Sequence, residues 1–97
     1  MYNFPATNFP ETIRLFGSAA MSLQWQKMVG GVIGTNTALH SYRYENGDLF
    51  DVAIKTIDVI HACETMLRML EANGVNVEEA VGAVYAKNLG RGYYGVG

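Results

Sequence analysis

Much that would brace, anchor or charge a small protein is missing from this chain. It has one cysteine, Cys63, so no disulfide can form within it, and a lone thiol of this kind fits a reducing, cytoplasmic setting. Charged residues make up only 16% against 49% apolar, too few to coat a small monomer, which points to surface buried between subunits. The net charge is −2 and no basic block occurs, which argues against a nucleic-acid footprint. No apolar run approaches the roughly 18 residues of a transmembrane helix, so no membrane partner is expected. The opening "MYNFPATNFPE" has neither a basic n-region nor an apolar h-region, so no signal peptide is expected. No segment alternates with period two, which leaves no candidate strands. The expectation is an all-α fold.

What is present organises into one domain over residues 1–97, with about four helices. Residues 1–9 form an irregular arm punctuated by Pro5 and Pro10. Pro10 followed by Glu11 starts a helix, since proline suits the first turn and an acid favours the positive end of the dipole. Ile13, Phe16, Ala20, Leu23 and Met28 then recur at helical spacing up to the pair Gly30-Gly31, a break. A second, short helix is expected from about Thr35 to Tyr44. The third, Asp48 to Asn73, is the longest, and Gly74 is placed to close it in a left-handed conformation. Asn76 caps a fourth helix with Glu78 and Glu79 in its first turn, running to about Asn88. Residues 89–97, "LGRGYYGVG", are too glycine-rich to be regular.

The stretch "GDLFDVAIKTIDVI" sets three aspartates and a lysine in an otherwise apolar helix. At 100° per residue, Asp48, Asp51, Lys55 and Asp58 share a sector of roughly 80°. The later polar residues His61, Glu64, Arg68 and Glu71 share another, rotated by roughly 120° from the first. A single solvent stripe does not jump in this way. Either the helix bends around different neighbours, or its first half aims carboxylates at something other than bulk water. Asp48 and Asp51, three apart on one face, can reach a common hard cation such as Mg²⁺. Alternatively, Asp48 is a helix cap and Asp51 a first-turn acid favoured by the dipole. On the first reading Asp51 faces a polar cavity between helices.

Other residues carry weaker signals. His40 and His61 lie on different helices without a zinc-ligand spacing, and Trp25 and the methionines read as core or interface packing. Cys63 has no histidine placed in sequence to activate it, since His61, two residues before it, does not share its helix face. "GRGYYGVG" does not sit between a strand and a helix as a dinucleotide loop must; a tail that folds over a site or a partner, or simple disorder, are the other readings open to it.

Three segments together resemble a known family. "DLFDVAIKTIDV" is similar to the acidic helix of the MazG-like all-α nucleoside triphosphate pyrophosphohydrolases, in which an acid three residues before an aspartate opens a helix. "VNVEEAVGAVYAKNLGRGYYG" resembles that family's closing helix and tail, with Asn88, Arg91, Tyr93 and Gly95 matching. "ALHSYR" resembles the end of the helix that carries the family's other acidic motif. The resemblance spans Ala38 to Gly95 in family order. It implies a helical bundle that assembles as a homodimer or homotetramer and hydrolyses nucleoside triphosphates to monophosphate and pyrophosphate with Mg²⁺. Carried over by position, Asp48 and Asp51 are the metal ligands and Asp58 the further catalytic acid. Lys55, Lys87, Asn88 and Arg91 are the candidates for phosphate and substrate.

The departures from the family are specific. Its upstream helix supplies glutamates as E-x-x-E, and here Gly34 and Thr37 stand in their place. Its lysine four before the closing asparagine is Val84 here, with Lys87 the nearby substitute. Two functions follow: a pyrophosphohydrolase or nucleotide-binding protein with an impaired, weakly Mg²⁺-binding site, or a non-catalytic homo-oligomer that keeps the fold and has lost the metal site.

Overall fold

The computed structural model describes residues 18–93, and every regular element among them is a helix. There are three: α1 (Ser18–Tyr44), α2 (Leu49–Ala72) and α3 (Val77–Gly90). The start expected at Pro10 and the arm at 1–9 lie outside the described residues. The expected third and fourth helices correspond to α2 and α3 within a residue or two at each end. The break expected at Gly30-Gly31 is corrected, because the segments on either side of it are one continuous helix, so the described residues hold three helices.

The reason lies in what α1 packs against. Two glycines in a helix interior cost about 1 kcal/mol each relative to alanine, and read alone they look like a break. In the fold, a Cβ on Gly31 would stand 3.1 Å from Val59 Cγ2, and one on Gly34 would stand 3.8 Å from Lys55 Cδ. The missing side chains therefore let α1 and α2 approach closely. Ala20, Gln24, Gly31, Gly34 and Ala38 fall within a sector of roughly 100° on α1, and Ala20, Gln24 and Ala38 are buried. This seam is made of small residues. The large apolar residues Leu23, Trp25, Val32 and Ile33 point elsewhere and are exposed.

Gln24 marks the register of the hairpin. Its Nε2 donates to the backbone carbonyl of Ala62 across the interface at 2.8 Å, which satisfies an amide otherwise buried without a partner. With Gly31 against Val59 and Gly34 against Lys55, the pairing is antiparallel. On α2 the facing row is Val52, Lys55, Val59, Ala62, Met66 and Met69, alternating three and four apart, and each is half-buried or buried. That spacing is the seam of a two-helix coiled packing. Thr65, also buried, satisfies its hydroxyl on the His61 carbonyl one turn back at 3.1 Å.

Both ends of α2 and the start of α3 are capped as their sequences require. Asp48 has extended backbone, and its Oδ1 accepts from the Phe50 N–H at 2.9 Å. At the other end Gly74 has φ +92°, with its N–H donated to the Glu71 carbonyl and that of Val75 to the Leu70 carbonyl, each at 3.0 Å. This is the Schellman arrangement. Asn76 follows at once and accepts from the Glu79 N–H at 3.0 Å, capping α3. Few residues separate the two helices, and the backbone groups at both ends of the turn are engaged.

α3 meets the hairpin only near its own base, where Leu67 of α2 faces Val77, Val81 and Tyr85 across an open apolar groove of about 350 Å³. No residue of α3 is buried. The buried apolar side chains among the described residues are Ala20, Ala38 and Met69. That is little buried apolar surface for the described residues.

Candidate functional site

The acidic residues sit at the end of α2 that follows the α1–α2 turn. Asp48 occupies the N-cap and Asp51 the first turn, where the positive end of the helix dipole favours a carboxylate. Both are exposed. One carboxylate oxygen of Asp48 is already engaged by the Phe50 N–H. Asp58, also exposed, lies seven residues beyond Asp51, about 10 Å further along the axis. It cannot share one small cation with the Asp48–Asp51 pair within a single chain.

The jump of the polar stripe has a structural cause. At 100° per residue, Asp51 and Asp58 lie roughly 50–60° to one side of the row that faces α1. Lys55 lies in that row itself. It is half-buried, with its methylene stem along α1 at Gly34, a placement open to a long amphipathic side chain. In the second half of α2 the same sector holds Ala62, Met66 and Met69 against α1, so the polar residues move around the helix. There Arg68 pairs with Glu64 at 3.6 Å and with Glu71 at 3.3 Å. These three line an open groove of about 570 Å³ that runs to Asn76 and Glu78 at the start of α3. The neighbours of the helix thus decide the pattern. The cavity expected around Asp51 is not formed by the described residues of one chain, since Asp51 stands exposed.

The remaining candidates fall at the far end of α3. Lys87 lies in its last turn, Asn88 is half-buried, and the Arg91 guanidinium stands 6.0 Å from the centre of the Tyr93 ring. The backbone closes here through the Tyr93 N–H, donated to the Asn88 carbonyl at 3.0 Å. α3 touches α2 at the end opposite Asp48 and Asp51, so this basic turn and the acidic turn are not brought together within one chain. Among the described residues, the ion pairs are those of Arg68.

Gly34 and Thr37 stand where the resemblance expects acids, and the fold gives each a different use. Gly34 admits the stem of Lys55, and the Thr37 hydroxyl donates to the Ile33 carbonyl of its own helix at 3.0 Å. Among the described residues no group of three or more histidine, cysteine, aspartate or glutamate side chains gathers where a metal ion could sit. No helix among them is long and apolar enough to cross a membrane.

Sequence reasoning missed two features of this surface. One is Gln24, whose polar side chain is buried in the seam of small residues. The other is the row Val59, Cys63, Leu67, which winds from the α1-facing row of α2 toward the side away from the aspartates. Val59 and Cys63 line a second cleft, of about 200 Å³, with Trp25, Met28, Val32 and Ile33 of α1. The four-residue spacing of that row was the available signal. Comparison with known proteins adds no further identification: no family model, curated protein or solved structure matches the chain.

Proposed function

We propose that the chain is a MazG-like, self-associating helical protein. It takes a magnesium complex of a nucleoside triphosphate at the acidic end of α2 and releases pyrophosphate slowly. The observation that carries this reading is the placement of Asp51. α2 begins at the residue where the resemblance places the acidic helix, with Asp48 as its cap and Asp51 free in the first turn. α3 then ends in the turn that holds Lys87, Asn88 and Arg91, in the same order. Mg²⁺ would neutralise the triphosphate and activate water. Asp51 would hold it with the free oxygen of Asp48, and Lys55, Lys87, Asn88 and Arg91 would serve the phosphates. Two carboxylates suit an ion that keeps several waters and is held largely by substrate phosphates. Metal binding is therefore expected only when nucleotide is present. The exposed apolar surface supports self-association, as a homodimer or a pair of dimers.

A second reading is favoured by a specific observation. Gly34 is committed to helix packing and one oxygen of Asp48 to capping, which is how a non-catalytic homo-oligomer descended from such an enzyme would look. One experiment separates the two. A panel of nucleoside and deoxynucleoside triphosphates with Mg²⁺ or Mn²⁺ is scored for pyrophosphate, and calorimetry follows nucleotide and metal added together. The enzyme reading expects release from at least one nucleotide and its loss in Asp51→Asn, which removes charge at little change in size. No release and no binding across the panel would leave the non-catalytic protein. Tight binding of Mg²⁺ alone would show that the ligands lie elsewhere.

A further inference from the structure

We infer that two copies of this chain exchange their third helices, with α3 of each seated on the apolar side of the other's α1–α2 hairpin. The inference rests on the self-association in the reading above and not on its nucleotide chemistry, so chain mass and pyrophosphate release can fail separately.

α3 carries an apolar stripe that faces Leu67 of its own chain and stays about half exposed. Val81 is 60% exposed, Tyr85 55% and Leu89 53%, although Val77, Val81, Val84 and Tyr85 recur at the spacing of one helix face. The turn before it is fixed by the left-handed Gly74, the two Schellman hydrogen bonds and the Asn76 cap, and beyond it no residue of α3 is buried. The hairpin has the complementary surface. Its row Val59, Cys63, Leu67 reaches from the cleft beside Trp25 and Ile33 toward the groove at the base of α3, so two apolar recesses lie one turn apart along α2.

Area decides in favour of a second copy. Nineteen large apolar residues among those described are exposed, mostly by about half. At about 150 Å² per large side chain, that leaves on the order of 1,500 Å² of apolar surface. A standard interface takes about 800 Å² from each partner, and obligate homodimers take more. The chain bears both halves of the contact, the stripe on α3 and the two recesses on the hairpin. Exchange about a two-fold axis covers both halves on both copies at once.

The native Cys63 supplies the test, since it is the only cysteine. Val84 lies ten residues beyond Gly74 and Cys63 eleven before it. Val84→Cys would therefore meet Cys63 of the same chain if α3 folded back, and Cys63 of the other chain if α3 were exchanged. After oxidation with diamide, non-reducing electrophoresis of the full chain should show a covalent dimer, absent when Cys63→Ser is added. A disulfide within one chain would overturn the exchange. In parallel, light scattering should give twice the 10.6 kDa chain mass for the unaltered protein. The double variant Val81→Glu, Val84→Glu should halve that mass while circular dichroism stays helical, and Glu79→Lys, on the opposite face, should not. A monomeric unaltered protein, or a dimer indifferent to the double variant, would refute the inference.

Discussion

Gly30 and Gly31 are adjacent in sequence, yet their replacement by alanine should have opposite effects. Both lie in the interior of α1, where alanine gains about 0.5–1 kcal/mol over glycine. A Cβ on Gly30 meets nothing within 4 Å, so that gain is kept whole. For a domain of this size it raises the melting midpoint by about 3–6 °C. A Cβ on Gly31 lies 3.1 Å from Val59 Cγ2. Valine in a helix is held in one rotamer, so relief requires the helices to part by a few tenths of an ångström. Overpacking of this kind costs about 1–3 kcal/mol, and the net effect is neutral to destabilising by about 2 kcal/mol. The propensity gain is common to both variants, so the difference between them measures the contact alone. Trimming its other side with Val59→Ala should restore the gain at Gly31, with a coupling of about 1 kcal/mol. Thermal and urea melts followed at 222 nm, at one fixed chain concentration, read all of these values. A lower midpoint for Gly30→Ala would refute the continuous α1. A rise for Gly31→Ala equal to that for Gly30→Ala would remove the close approach that sets the register.

Three further outcomes are expected. Asp48→Ala should cost about 1 kcal/mol through loss of the cap, while Asp48→Asn, which keeps an oxygen for the Phe50 N–H, should cost little in the same melts. Gly47→Ala should cost about 2–3 kcal/mol, since its Cβ would lie 2.8 Å from the Ser41 carbonyl carbon and the Tyr42 nitrogen, which are backbone atoms unable to move aside; an unchanged midpoint would show the turn to be built differently. Gly34→Glu with Thr37→Glu should raise pyrophosphate release at least tenfold where the unaltered chain shows any, and should create Mg²⁺-dependent stabilisation where it shows none. No change in either would show that the acidic end of α2 is not a metal site.

The parts of this fold that could be read from the sequence are those set by neighbouring residues. Gly74 closes α2 with a positive φ, Asn76 caps α3 and Asp48 caps α2, because each function needs a particular side chain, or none, at a particular step of the backbone. What could not be read is set by a helix distant in sequence. Gly30-Gly31 stops a helix only when nothing packs over it, and α2 is what packs there. For the same reason the helical spacing of Ala20, Leu23 and Met28 did not by itself mark the inner face of α1. Leu23 fits the helical period and is 57% exposed, while the seam runs through Ala20, Gly31 and Ala38, which carry little hydropathy signal.

The acidic end of α2 was legible as an oddity, and two explanations were open to it at the level of sequence, the cap being the plainer. The structure gives both a share. Asp48 caps the helix, as the plainer explanation requires, while Asp51 and Asp58 flank the α1 seam in the open. Lys55 links the two, because its stem lies along α1 only where Gly34 leaves room. A glutamate at position 34 would meet that stem and would bring its carboxylate toward the lysine and the first turn of α2. The residue missing from the expected acidic pair is thus the residue that lets the lysine pack. Glycine at 34 and the inward placement of Lys55 are therefore one feature of the hairpin. It sets a half-buried cation one turn from Asp51, and this lowers the need of the acidic end for a metal to neutralise it.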